Sequence, residues 1–135
     1  ESALFNTAFL DVAVAGDMGL PWSLPRLVGA AKARELSFMP RKVQAAEAKE
    51  LGLVNEVYAD ADFPEAVEVY TDRLATAAPL ALRGMKQNYL DGETMGFREY
   101  IEAESERHTR ISASADCREA FAAFMQKRTP VFEGR

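Results

Sequence analysis

The chain has 135 residues, 48% of them apolar and 27% charged, with a formal net charge of −5. That length buries one real core, and the acidic balance lacks the basic face that nucleic acid requires, although it leaves room for a local basic site. No apolar run approaches the ~20 residues of a membrane span, and no basic stretch leads into a short apolar one as in a secretory signal. The single cysteine, Cys117, excludes an internal disulfide and a paired-cysteine metal site. Such cysteine usage points to a reducing compartment and predicts a cytoplasmic protein.

Residues 3–15 are rich in Ala, Val, Leu and Phe without helical spacing. They predict a short buried strand near Leu4–Ala8 and an extended segment to Ala15. The run "GDMGLPWSLPRLVG" follows. Pro21 suits a first helical turn and Gly29 a C-terminal stop. Pro25 opposes one continuous helix, so two short turns or a kinked helix are expected. A helix then runs from about Ala30 to Phe38, and Pro40 ends it. "RKVQAAEAKELGLVNEVY" reads as an extended piece, a helix over 45–51, a stop at Gly52 and a strand over Val54–Tyr58. "ADAD" is a turn. Phe63, Val67, Tyr70 and Leu74 fall on one face of a helix over 63–78. Pro79 opens a helix to about Leu90, and "DGETMG" is a loop. Helices follow over Phe97–Ile111 and Ala115–Gln126, the second with Cys117, Ala120, Phe121, Phe124 and Met125 on one face. The tail "KRTPVFEGR" is irregular.

The pattern is a little strand followed by many helices. A couple of short strands makes a poor sheet alone. The helices therefore need something else to pack on. Together with the strand-like start at Glu1, which is not a methionine, this predicts a chain that continues upstream.

Few residues suggest chemistry. Asp17 stands among apolar residues just before a helix. One reading is an N-cap, a role that aspartate favours. The other is a base or nucleophile lined by Phe9, Met18, Leu20 and Trp22, with apolar surroundings raising its pKa and helix N–H groups lowering it. Spacing leaves both open. His108, the only histidine, falls near an apolar helix face and reads as a core or interface residue. It has no companions for a metal site. Cys117 reads as packing. In "EYIEAESERHTR" the pairs Arg98–Glu102 and Glu106–Arg110 read as a solvated face. Lys127 and Arg128 either complement a helix C-terminus or meet a ligand phosphate.

"DMGLPWSLPRLVG", "AAEAKELGLVNEVY", "AAPLALRGMKQ" and "REAFAAFMQKRTPVFEGR", in that order and spacing, resemble consecutive signatures of the crotonase family, the enoyl-CoA hydratase/isomerase superfamily. The resemblance runs along nearly the whole chain. It implies an α/β fold, a spiral of ββα turns, of which this chain is the mostly helical C-terminal half. Residues 1–60 would end the spiral core and carry an active-site loop and helix. Residues 61–135 would form a helical trimerisation region. Most of the CoA site and the oxyanion hole, a large catalytic term, would precede Glu1.

The resemblance implies site residues too. One catalytic glutamate of the family's hydratases falls at Phe9, so it is absent. Asp17, eight residues on, resembles the aspartate of dienoyl-CoA isomerases and of the phenylacetate-pathway isomerase, which also pairs it with an aromatic. The implied activity is double-bond isomerisation of an enoyl-CoA, with Asp17 as the single acid–base residue. Phe9, Met18, Leu20 and Trp22 would contact substrate and help exclude water. Phe124 and Lys127 match positions that approach CoA, the lysine meeting a phosphate. The alternatives are a hydratase using Asp17 with an upstream glutamate, dehalogenase-type chemistry at Asp17, or a non-catalytic oligomerisation module. The only coenzyme implied is the CoA of the thioester substrate. The partners implied are an acyl-CoA and further copies of the chain, as a trimer or a dimer of trimers.

Overall fold

The computed structural model describes residues 1–135. They divide into two compact units, Glu1–Glu68 and Val69–Arg135.

The first unit contains β1 (Leu4–Phe5), α1 (Leu20–Val28), α2 (Ala30–Phe38), β2 (Val43–Gln44) and α3 (Ala45–Glu50). β1 and β2 pair antiparallel, Leu4 opposite Gln44 and Phe5 opposite Val43. Leu36, Val43 and Ala48 are buried together, with Phe5, Leu51, Leu53 and Val54 packed against them. α1 packs on α2, burying Leu24 and Ala33. Gly29, with φ 79°, separates the two helices. That left-handed conformation favours glycine, and it makes the turn possible. Pro25 lies inside one continuous α1, two residues past the first turn, where it has no N–H to offer the Pro21 carbonyl four residues back. α2 has the predicted bounds. The Met39 N–H closes it on the Glu35 carbonyl, just before Pro40.

One predicted strand is cut short and another is absent. The Leu4–Ala8 strand is only Leu4–Phe5, and a 3₁₀ turn over Leu10–Val12 replaces the extended segment. The partner strand offers only two residues, and Ala8 and Ala13 take left-handed φ values that break an extended run. Val54–Tyr58 also forms no strand. A strand needs a neighbour for its ladder. Here the Leu53 and Val54 N–H groups turn back to the Ala48 carbonyl, and the Tyr58 carbonyl accepts from the terminal amine.

α4 (Phe63–Ala75) leads from one unit into the other. Its expected apolar face is uncovered: Phe63, Val67, Tyr70 and Leu74 are all exposed.

The second unit contains α5 (Pro79–Gly92), α6 (Phe97–Ser112) and α7 (Ala115–Gln126). α5 runs two residues past Leu90 and takes in Asp91 and Gly92 of the expected loop. α5 and α6 approach at Gly84, where a Cβ would come within 2.5 Å of Ile111 Cδ1. Beside this contact Asp91 is buried. Its carboxylate accepts from Arg107 Nη2 at 2.6 Å and Gln87 Nε2 at 2.7 Å. Arg107 also donates to Asn88 Oδ1. The Gln87 amide and the Arg107 guanidinium hold the Asp91 carboxyl below its usual pKa. The predicted pairs Arg98–Glu102 and Glu106–Arg110 do not form. Arg107 on the same helix turns inward to α5.

α7 starts on a Ser114 cap, its hydroxyl accepting from the Cys117 N–H at 3.1 Å. Asp116 is buried, and its carboxylate accepts the N–H groups of Glu133 (2.8 Å) and Gly134 (2.9 Å). Its own N–H donates to the Arg135 carbonyl at 3.0 Å. The tail is thus irregular but fastened. The predicted apolar face of α7 points away from this anchorage: Phe121, Phe124 and Met125 are exposed, and Ala123 is buried instead. His108 is exposed as well, with Ser112 Oγ 3.3 Å from its Nε2, rather than set on a covered apolar face.

Candidate active-site loop and cleft

Between β1 and α1 the chain makes a loop with many left-handed residues: Ala8 (φ 37°), Ala13 (58°), Gly16 (121°), Met18 (48°) and Gly19 (76°). Three of these are not glycine. Each such residue costs of order 1–3 kcal/mol and persists only where its surroundings hold it. The holding contacts are local. The Phe9 carbonyl accepts from Val12 (3.2 Å) and Val14 (3.0 Å), and Asn6 Oδ1 accepts from the Ala8 N–H (3.2 Å). A Cβ on Gly16 would lie 2.8 Å from Pro21 Cγ, so the loop can close against α1 only with glycine there.

Asp17 sits on this loop and is exposed. Its Oδ1 accepts from the Met18 N–H at 2.6 Å, and its carbonyl accepts from the Leu20 N–H at 2.9 Å. The N-cap of α1 is Gly19, with no side-chain cap. The capping reading of Asp17 is therefore overturned: the carboxylate stops two residues short of the cap.

A cleft of ≈ 350 Å³ opens between the loop, α1 and α2. Phe9 and Leu20 line it, as do Gly16, Leu24, Ala33 and Phe38. Asp17 is not in the wall, but Gly16 and Leu20 on either side of it are. Met18 and Trp22 are placed differently from the sequence expectation. Met18 is 98% exposed, and Trp22 is 58% exposed with the Arg26 guanidinium 3.7 Å from its ring centre. That contact is a cation–π stack on the outer side of α1. Neither residue lines the cleft.

Phe124 and Lys127 belong to the second unit. Phe124 is exposed. Lys127 terminates α7 in a left-handed conformation, φ 53°. Its ammonium has no partner, whereas neighbouring Arg128 is held by Glu119, Nη2 to Oε2 at 2.8 Å. Arg128, then the Val131 N–H, push the Glu119 carboxyl down to about 2. Of the two cations at this helix end, only the lysine is free for a ligand. No group of His, Cys, Asp and Glu side chains comes together in a way that could hold a metal.

The sequence reading missed Arg34 and Ser37, which are also in the cleft wall. They lie three apart on α2, next to Ala33, the residue that packs on α1. That spacing was the available signal.

The first unit thus carries an exposed carboxylate, Asp17, on a loop with several residues at positive φ beside an apolar cleft. The chain belongs to the enoyl-CoA hydratase/isomerase family, whose sequence model matches residues 1–135. It is 33% identical over 135 residues to the probable enoyl-CoA hydratase of Rhodobacter capsulatus, covering 100% of this chain and 52% of that protein. It is 31% identical over 135 residues to the 1,2-epoxyphenylacetyl-CoA isomerase of Escherichia coli K12, with the same coverage. Among solved structures, enoyl-CoA hydratase from Bacillus anthracis superimposes with a TM-score of 0.95 at 30% identity, over 100% of this chain and 52% of that one. The fold is therefore the crotonase α/β fold, and the chain spans about half the length of the relatives it matches.

Proposed function

We propose that the protein carrying this chain moves a double bond in an enoyl-CoA, with Asp17 as its one proton carrier. The observation that carries this reading is the freedom of Asp17. Its carboxylate caps no helix, makes no ion pair, accepts only the Met18 N–H, and sits between two cleft residues on a loop with three non-glycine residues at positive φ, a strain that clusters at functional sites. Phe9, at the position of a hydratase glutamate, supplies apolar cover instead of a second carboxylate. An isomerase needs only one.

In the proposed step Asp17 takes a proton from one carbon of the acyl chain. The C–H electrons move into the chain and the thioester oxygen becomes enolate-like. Asp17 then returns the same proton to another carbon, the double bond shifts, and no water is consumed. Hydrogen-bond donors at the thioester oxygen would come from outside the residues described above. CoA, bound through the substrate, is the only coenzyme required. Phe124 would pack against it, and the unpaired Lys127 ammonium would meet one of its phosphates. The uncovered aromatic face of α7 suits contact with further copies, as a trimer or a dimer of trimers. A cytoplasmic site of action is part of the proposal, and no helix is long and apolar enough to cross a membrane.

The runner-up is hydration, supported by the likeness to the Rhodobacter protein. Supplying a 2-enoyl-CoA and a 3-enoyl-CoA separately divides the two. Bond migration from the 3-enoyl substrate is expected, and water addition to the 2-enoyl substrate alone would overturn the isomerase. Asp17→Asn should lower turnover by about 10²–10⁴-fold, the usual worth of a positioned acid–base group. Since Asp17 caps nothing, the variant should melt with the parent. Unchanged turnover in the variant would overturn Asp17 as the proton carrier, whereas no turnover of either substrate by the parent would leave the oligomerisation-module reading, for which sedimentation with and without CoA is the check.

A further inference from the structure

Arg34 and Ser37 carry the only polar side chains among the residues lining the cleft, and all the others are apolar or glycine. They lie three apart on α2, so one helix face presents both to the same wall. Neither side chain has a partner within the chain: the exposed Arg34 guanidinium meets no acceptor, and the half-buried Ser37 hydroxyl makes no hydrogen bond. The other two arginines of the first unit are engaged, Arg26 by Trp22 and Arg41 by Glu47. An arginine kept free beside a free hydroxyl, on a wall otherwise fit for hydrocarbon, matches one kind of ligand end. That end is planar, anionic and reached through an apolar stem. A guanidinium receives a carboxylate through two parallel N–H bonds, and a hydroxyl can serve one of the remaining lone pairs.

We infer that Arg34, with Ser37 beside it, selects acyl groups that end in a carboxylate. This rests on the acyl-thioester reading above and adds to it the chemical class of the acyl group. The apolar wall holds the methylene stem, and Arg34 holds the distal carboxylate.

Saturated thioesters bind without reacting, so calorimetry with adipoyl-CoA and hexanoyl-CoA isolates recognition from catalysis. The protein is expected to bind adipoyl-CoA about 10- to 100-fold more tightly, the usual worth of a hydrogen-bonded charge. Arg34→Met should collapse that ratio to near one. Arg34→Lys should keep part of it, because it retains the charge and loses the fork. Ser37→Ala should reduce it by a smaller factor, and added salt should lower it at this open site. Equal binding of the two thioesters, or an Arg34→Met variant that keeps the full ratio, overturns the Arg34 inference and leaves the acyl-CoA reading standing. Failure of both thioesters to bind overturns both.

Discussion

The two units are held together by different physics. Glu1–Glu68 has an apolar core in which Leu24, Leu36 and Val43 are buried. Val69–Arg135 buries only one apolar side chain, Ala123. What it buries besides is Gly84, Asp91 and Asp116. Two of these are carboxylates, and each is satisfied from elsewhere in the chain. Burial of hydrocarbon is non-directional and insensitive to pH. A buried carboxylate is satisfied only where its partners hold the right geometry. The first unit can thus carry a strained loop without coming apart, whereas the second depends on particular hydrogen bonds. The apolar surface that the second unit leaves on α7 is available for contacts of another kind.

The largest expected effect is in the first unit. Leu36→Ala should cost about 2–5 kcal/mol, the range for truncating a buried leucine. Trp22, the only tryptophan, sits on α1 of that unit, so denaturant unfolding followed by its fluorescence reports the loss directly. A cost well below that range would mean that the apolar core is not what holds the first unit.

Arg107→Met sharpens the comparison from the other side. It leaves Asp91 buried against Gln87 alone, which is far worse than removing both charges. Amide exchange should accelerate along α5 and α6 while α2 keeps its protection. Equal acceleration in both units would erase the distinction. Replacing Asp91 together with Arg107, by Asn and Met, should recover part of the loss.

Acid gives the smallest and most graded effect. Glu119 has its pKa lowered in the folded state to about 2. A depressed carboxyl contributes its stability above its ordinary value of 4.5, and that contribution is lost as pH falls toward about 2. Protection of the Val131 amide, which donates to Glu119, should decline across that window. Asp60 behaves alike at the other end of the chain: the Ser2 N–H, then the Ser2 hydroxyl, hold it to about 2. Acid should therefore loosen both ends of the chain while the Leu36 cluster stays protected. Early loss of the Leu36 cluster would break the contrast.

The same division decided what could be read in advance. α2 and α7 have the bounds that their sequences predict, because caps, prolines and glycines act within a few residues. The strand over Val54–Tyr58 failed because a ladder needs a neighbour, and none is written into the segment itself. The α7 face was assigned by apolar content. Asp116 decides it instead, through contacts made 17 and 18 residues away with the tail. Arg107 looked like one more charge on a solvated face, since its partner lies on a different helix. In the candidate site, Phe9 and Leu20 lie in the cleft wall, as their apolar character suggests. The positions of Met18 and Trp22 were not legible. An apolar residue beside a site suggests a lining role, but the left-handed turn at Met18 and the Arg26 stack on Trp22 are facts of conformation.

The fastening of the tail has a consequence for how this stretch can drift. Every bond between Asp116 and the last residues goes to main-chain atoms: the Glu133 and Gly134 N–H groups and the Arg135 carbonyl. Side chains at 133 and 135 are thus open to exchange without loosening the clasp. Gly134, at φ 77°, is not, and neither is the aspartate. Across lineages the mark of this structure would be two fixed letters far apart in the text, with freely changing ones between and beside them.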